Sequence, residues 1–237
     1  MFRSTLKKLL NRLGYDILHL PTDPVTRRRI ELLEKHGIDL IFDIGANKGQ
    51  FALKMRELGY RGRIVSFEPL SDAFSQLQKN AAGDKNWTVV NTAIGDTEGE
   101  IKINVSQNSY SSSILDILPR HVESAADSVY VGEVAAQITT IDNIISKYYK
   151  GKGNLFLKVD TQGYERQVIE GCKNSIHLIK GFQLELSLIP LYEGETLMQE
   201  MIDFLRTKGF KLMLIEPGHQ DYSTGELLQV EGIFYKY

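Results

Sequence analysis

Short apolar runs that alternate with amphipathic stretches constrain this chain more than any other feature. Residues 39–44 (DLIFDI), 63–67 (RIVSF) and 154–159 (NLFLKV) are apolar runs bounded by turn residues, and residues 87–90 and 181–188 are similar in kind. Runs of this length with such boundaries read as buried strands. Between them, residues 51–58, 71–82, 164–171 and 197–208 carry apolar side chains at helical spacing, several closed by glycine. A further helix follows residues 138–140 and runs through Tyr149. Strands that alternate with helices join by right-handed crossovers, which gives a mainly parallel sheet with helices on both faces. Residues 100–105 alternate and read as an added strand or hairpin arm. The last run, 230–237, has no helix before it and is expected to lie antiparallel to its neighbours. One α/β domain is expected over residues 31–237.

Of the 237 residues, 42% are hydrophobic and 24% charged, enough apolar material for a sizeable core and too much for a disordered chain. No run approaches the roughly 18 apolar residues of a membrane-spanning helix. The single cysteine, Cys172, cannot form an internal disulfide and fits a reducing, cytoplasmic compartment. With a net charge of −2 the chain lacks the basic field of a nucleic-acid binder, so no nucleic-acid partner is expected. Residues 1–30 form a basic extension, with seven cationic side chains against Asp16 and Asp23. Within it, residues 2–13 read as a short amphipathic helix that either packs its leucines on the domain or touches a membrane surface peripherally.

The first strand ends in Asp43-Ile-Gly45-Ala-Asn47-Lys-Gly49 and enters a helix. In open α/β sheets, ligands bind beyond the carboxyl ends of the strands, and glycine lets a backbone approach them closely. The second strand ends in Glu68, nineteen residues past Gly49, where an acid can accept hydrogen bonds from both hydroxyls of a ribose. A dinucleotide site needs G-x-G-x-x-G, and Asn47 stands where its second glycine belongs. A ligand with a ribose, no phosphate and a cationic group suits Asp43 and Glu68 better, and S-adenosylmethionine has that chemistry. The plain alternative for Asp43 and Gly45 is an ordinary strand-to-helix turn.

The segments IFDIGANKGQFA, SFEP, NTAIGD, TTIDNI, LKVDTQGYERQVIEG and LELS follow one another over roughly residues 38–190. In this order they resemble the FkbM family of S-adenosylmethionine-dependent methyltransferases. The resemblance implies a Rossmann-like class I methyltransferase fold, with a mainly parallel seven-stranded sheet and its last strand antiparallel. It also implies O-methylation of a hydroxyl on a carbohydrate or a secondary metabolite. By the same resemblance, Asp43, Gly45, Asn47 and Gly49 form the cofactor loop, and Glu68 is the ribose-binding acid. Ala93 and Ile94, at the end of the third strand, border the adenine, and Asp160 lies beside the transferred methyl group. Gln162 departs from the pattern, since many relatives place a second acid there.

A neutral hydroxyl is a poor nucleophile, so a general base is expected. Asp160, at the end of a central strand, is the first candidate and Glu185 the second, because burial among leucines raises a carboxylate's pKa. Lys158 falls on the same side of its strand as Asp160, which allows a charge pair. A divalent cation on Asp160 and Glu185 is a less favoured variant. No H-x-x-x-H or cysteine cluster exists, so no metal ligands are assigned. The serine-rich stretch within residues 106–133 reads either as a lid whose Asn108 and Ser112 hold a polar small-molecule or glycan acceptor, or as a plain surface loop. His219 is a further acceptor-facing candidate. Competing functions are methylation of RNA or protein, and a cofactor-binding module without catalysis. Oligomeric state is not legible.

Overall fold

The computed structural model describes residues 24–236, so the amphipathic stretch at 2–13 lies outside the described residues. The chain order is α1 (Pro24–Lys35), β1 (Ile38–Ile44), α2 (Gln50–Glu57), β2 (Arg63–Phe67), α3 (Ser71–Ala81), β3 (Trp87–Val90), β4 (Ala93–Gly95), β5 (Gly99–Ser106) and α4 (Pro119–Ser124). It continues with β6 (Tyr130–Thr140), α5 (Ile141–Tyr148), β7 (Asn154–Val159), α6 (Glu165–Glu170), β8 (Ile179–Ser187), α7 (Met198–Thr207), β9 (Phe210–Pro217) and β10 (Gln229–Lys236). Helix α1 runs across residue 30, where the sequence separates a basic extension from the domain, and buries Leu32 and Leu33 in the core.

Seven strands form one sheet in the order β3-β2-β1-β7-β8-β10-β9. Strands β3, β2, β1, β7 and β8 run parallel, and β10 is antiparallel to both β8 and β9, as the missing helix before it implies. One face buries Leu40, Phe42, Val65, Leu157 and Leu184 under α5, α6 and α7. The other buries Ile41, Ile64, Phe156 and Ile233 under α1, α2 and α3. Helix α3 shows why such segments are helical: Ala73, Leu77 and Ala81 recur at i+4 and are buried, while Asp72 sits favourably in the first turn.

Two expectations need correction. Residues 93–95 do not end the third strand; they form β4, which joins β5 and β6 in a second, three-stranded sheet. The stretch 106–133 is also less open than its composition suggests. Strand β6 begins at Tyr130, α4 spans Pro119–Ser124, and an isolated bridge ties Ser113 back to Asn104. The early part of β6 is mostly exposed, so it has no hydrophobic alternation for a sequence pattern to reveal.

Sheet register sets up the site. Ile44 pairs with Phe67 and with Val159, and Val159 pairs with Leu184. The residues that follow these partners, Gly45, Glu68, Asp160 and Glu185, therefore stand in one row, the first three just past their strands and Glu185 still within β8. Glu231 of β10 pairs with Glu185 and extends that row. One step inward, Asp43 pairs with Ser66 and Lys158, and Lys158 with Gln183. Side chains two apart on a strand share a face. The α1–α3 face thus changes from apolar to ionisable toward the carboxyl ends of its strands.

Candidate cofactor and acceptor site

A cavity of about 550 Å³ opens over that row of strand ends, within the range usual for small-molecule sites. At one end Gly45, Ala46 and Asn47 meet Glu68, with Phe67, Ala93, Ile94 and Ile103 as an apolar wall; at the other stand Asp160, Gln162, Gln183, Glu185 and Glu231. The serine-rich segment contributes Ser109, Tyr110 and Ser112 to the lining.

Gly45 has φ 73, and a Cβ there would lie 1.8 Å from the carbonyl oxygen of Asp160, so the loop can pass the end of β7 only as glycine. Asn47 also takes a positive φ, 47, which asparagine tolerates better than most residues. Its amide N–H donates to Glu68 Oε2 at 2.8 Å, and the Leu70 N–H donates to Glu68 Oε1 at 2.8 Å. Both carboxylate oxygens keep a further lone-pair direction for another donor. Burial pushes the Glu68 carboxyl up to about 7 despite the two backbone donors. The Asn47 side chain donates to the Ser109 carbonyl at 3.2 Å, which ties the serine-rich segment to the loop.

At the polar end, Lys158 Nζ lies 3.2 Å from Asp160 Oδ2 and 3.5 Å from Asp43 Oδ1, realising the charge pair its strand position allowed. Gln162 Nε2 donates to Asp160 Oδ1 at 2.8 Å and to Glu185 Oε2 at 2.7 Å. Burial first, then the negative charges of Asp160, Glu231 and Glu165, raise the Glu185 carboxyl well above its ordinary range. Gln183 Nε2 donates to Glu231 Oε2 at 2.9 Å. Arg29 reaches the rim from α1 and forms a two-pronged ion pair with Glu216.

Several expected site residues stand elsewhere. Asp43 is fully buried beneath the cavity floor, where Ser66 Oγ donates to it at 2.9 Å; it holds Lys158 and cannot face a ligand. Gly49 starts α2 with φ 88, and a Cβ there would strike the Trp87 and Leu77 side chains, so it serves helix-on-sheet packing and lies outside the cavity lining. Asn108 staples its own turn: its Oδ1 accepts from Ser106 Oγ and the Ser111 N–H, and its Nδ2 donates to Ser111 Oγ. Ser112 reaches the cavity, but its hydroxyl accepts from the Ser106 N–H at 3.0 Å. His219 lies away from the cavity, its Nε2 2.9 Å from Ser124 Oγ and its ring beside His121. Gly45, Asn47, Glu68, Ala93, Ile94, Asp160 and Glu185 do line one cavity.

The sequence reading missed Gln183, Glu231 and Arg29. Polar residues inside the apolar runs GFQLEL and QVEGIF were the available signal for the first two. Nothing local marks Arg29. Among the described residues no group of three or more His, Cys, Asp or Glu is arranged to hold a metal ion. The bridging position between Asp160 and Glu185 is taken by the Gln162 amide nitrogen, which argues against the less favoured variant with a divalent cation there.

The residues fit S-adenosylmethionine. Glu68 offers acceptors beside an apolar wall suited to a flat base, and the acidic end suits positive charge. Two buried polar atoms in the lining, Ser109 Oγ and Gln183 Oε1, have no hydrogen-bond partner among the described residues, as expected of a wall that meets a polar ligand. Among the described residues no helix is long and apolar enough to cross a membrane.

Residues 43–212 match the family described as the Methyltransferase FkbM domain. The chain is similar to the 2-O-methyltransferase NoeI of Sinorhizobium fredii, 25% identical over 187 residues that cover 76% of each protein. It is also similar to Methyltransferase sdnD of Sordaria araneosa, 23% identical over 221 residues covering 84% of this chain and 78% of that protein. Among solved structures, SMU.1697c from Streptococcus mutans, in complex with SAH, aligns with a TM-score of 0.49 and 11% identity over 91% of this chain and 99% of that one. An rRNA methylase from Streptococcus thermophilus aligns with a TM-score of 0.48 and 9% identity over 90% of this chain and 97% of that one.

Proposed function

The chain belongs to the FkbM methyltransferase family and is a methyltransferase, and from that premise we propose that it carries the methyl group of S-adenosylmethionine to a hydroxyl of a carbohydrate or a similarly hydroxylated metabolite. The observation that carries this reading is the join of two subsites in one cavity. Glu68 and the apolar Ala93–Ile94 wall stand at one end, and the Asp160–Gln162–Glu185 group at the other.

Acceptor chemistry follows from the polar end of the cavity. Asp160, Glu185 and Glu231 line the far end beside Lys158 and offer a cluster of acceptors, which favours ligands that donate several hydrogen bonds. A polyhydroxylated acceptor is such a ligand. The similarity to a protein named a 2-O-methyltransferase supports oxygen as the accepting atom.

S-adenosylmethionine supplies an electrophilic methyl group on a positively charged sulfur, so the donor needs no activation by the protein. Alignment of the two reactants is the chain's main task and is worth roughly 7–11 kcal/mol in favourable cases. Glu68 orients the donor by its ribose. Asp160 and Glu185 would accept hydrogen bonds from the acceptor, and the pair would take the hydroxyl proton as the methyl group's bond to sulfur breaks and its bond to oxygen forms. Glu185 is suited to hold that proton, because burial raises its carboxyl above the ordinary carboxylate range.

Titration calorimetry with S-adenosylmethionine, followed by a mass-spectrometric screen of methyl acceptance on glycans and nucleotide sugars, tests the proposal. Binding together with a gain of one methyl on an acceptor hydroxyl is expected. Transfer to RNA or protein alone would overturn the acceptor class.

A further inference from the structure

Gln162 sits in the turn after β7 with φ 56, a left-handed conformation that costs a residue with a side chain about 1–2 kcal/mol. Local preference therefore does not hold it there; tertiary contacts do. Its backbone carbonyl accepts from Ser113 Oγ at 2.7 Å, and its side-chain Oε1 accepts from the Tyr192 hydroxyl at 2.7 Å. Its Nε2 gives one hydrogen to Asp160 and the other to Glu185. Tyr192 is fully buried beside Leu191 and Leu228, and the absent Cβ of Gly163 leaves room for it at 3.0 Å.

The amide has a single sensible orientation. Turned over, its carbonyl would face two carboxylates and its NH2 would lose both carboxylate acceptors. The carboxylates thus set the choice, and the Tyr192 hydroxyl, 2.7 Å from Oε1 and 3.3 Å from the Ser111 carbonyl, holds it. Without the amide, burial and the neighbouring negative charges favour the neutral form of Glu185.

We propose that Gln162, oriented by Tyr192, is a positioning residue that clamps Asp160 and Glu185 through one amide group and keeps both in acceptor form toward the substrate hydroxyl. The inference rests on reading that pair as the proton acceptor of the methyl transfer. The groups facing Glu185 are Asp160 and Lys158 from β7, Glu231 from β10, Glu165 from α6 and Tyr192 from the segment after β8; of these Lys158 supplies the positive charge.

The test needs no acceptor. Carboxyl ¹³C NMR titration follows the Asp160 and Glu185 side chains in the wild-type protein, Gln162→Ala and Tyr192→Phe, with melting temperature and S-adenosylmethionine affinity measured alongside. Loss of a donor to an ionised group raises its midpoint, so Gln162→Ala should move the Glu185 midpoint upward by about half a pH unit or more. Tyr192→Phe should move it in the same direction by less, because the amide stays but loses its orienting partner. Tyr192→Phe, whose ring lies outside the cavity lining, should keep cofactor affinity within about twofold. If Gln162→Ala does not fold, Tyr192→Phe decides. Unmoved midpoints in folded variants, or a downward move, would overturn the clamp. Failure of the wild-type protein to bind S-adenosylmethionine would instead overturn the proposed function and leave the titration readable by itself.

Discussion

The Cβ that Gly45 lacks would lie 1.8 Å from the carbonyl oxygen of Asp160, so the cofactor loop and the candidate catalytic strand end are in backbone contact. A side chain at 45 must push one of them away, and no rotamer relieves a clash made by Cβ. Gly45→Ala should therefore abolish S-adenosylmethionine binding in calorimetry and destabilise the fold by more than the roughly 1–2 kcal/mol of a left-handed alanine. Gly49→Ala meets the tips of Trp87 and Leu77 instead and should lower the melting temperature while the remaining folded protein still binds. Equal binding loss in both would contradict the separate roles assigned to the two glycines.

Glu68 offers a pH signature. Its carboxyl titrates near 7 in the free protein, and a ribose with two hydroxyl donors prefers the ionised form. Below pH 7 the group must release a proton on binding, so S-adenosylmethionine affinity should fall as pH drops from 8 to 6. Calorimetry in buffers of differing ionisation enthalpy should register that proton release. Glu68→Gln, which holds no titrating proton, should bind at least about tenfold more weakly and lose the pH dependence.

Glu165 gives a stability test independent of ligands. It is buried at the start of α6, where its Oε1 accepts from the Thr161 N–H at 2.7 Å, and burial pushes its carboxyl from 4.5 up to about 7. The native state then keeps a proton that the unfolded chain releases at 4.5. Stability from this group is intact at acid pH, is lost as pH rises between these values and stays lost above them. That rise is worth about 3 kcal/mol at most. Glu165→Gln, which keeps the acceptor without the charge, should gain melting temperature relative to wild type between pH 5 and pH 8. A difference independent of pH would remove Glu165 from the account.

Asp160→Asn and Glu185→Gln separate binding from turnover. Both acids face the donor's positive charge, so cofactor affinity should fall by only a few-fold while turnover of an identified acceptor falls by about 10²–10⁴-fold for the residue that takes the proton. Asp160→Asn also leaves Lys158 with Asp43 as its remaining paired carboxylate and should cost stability as well. Full turnover in both variants would show that the pair is not the base.

Much of this architecture was legible in the residues. Apolar runs with turn boundaries mark buried strands because burial on both faces leaves no room for alternation, and β1, β2, β7 and β8 fall where such runs lie. The missing helix before residue 230 gave the antiparallel β10 correctly. The second sheet was not legible, because the exposed length of β6 carries no core pattern and β4 is three residues long. Within the site, strand-end acids were easy to name, but their direction was not. Asp43 and Glu68 look alike in sequence, and only the register that sets Asp43 beside Ser66 and Lys158 turns it into a support under the floor. Gln162, seen in sequence as a departure from a pattern, links both carboxylates because a tyrosine thirty residues later meets its amide.

The most direct measurement is a crystal structure of the protein grown with S-adenosylhomocysteine. The account predicts one molecule in the cavity, with its ribose hydroxyls on Glu68, its base against Ile94 and its sulfur directed toward Asp160 and Glu185. Density for the ligand outside that cavity, or a ribose turned away from Glu68, would contradict it.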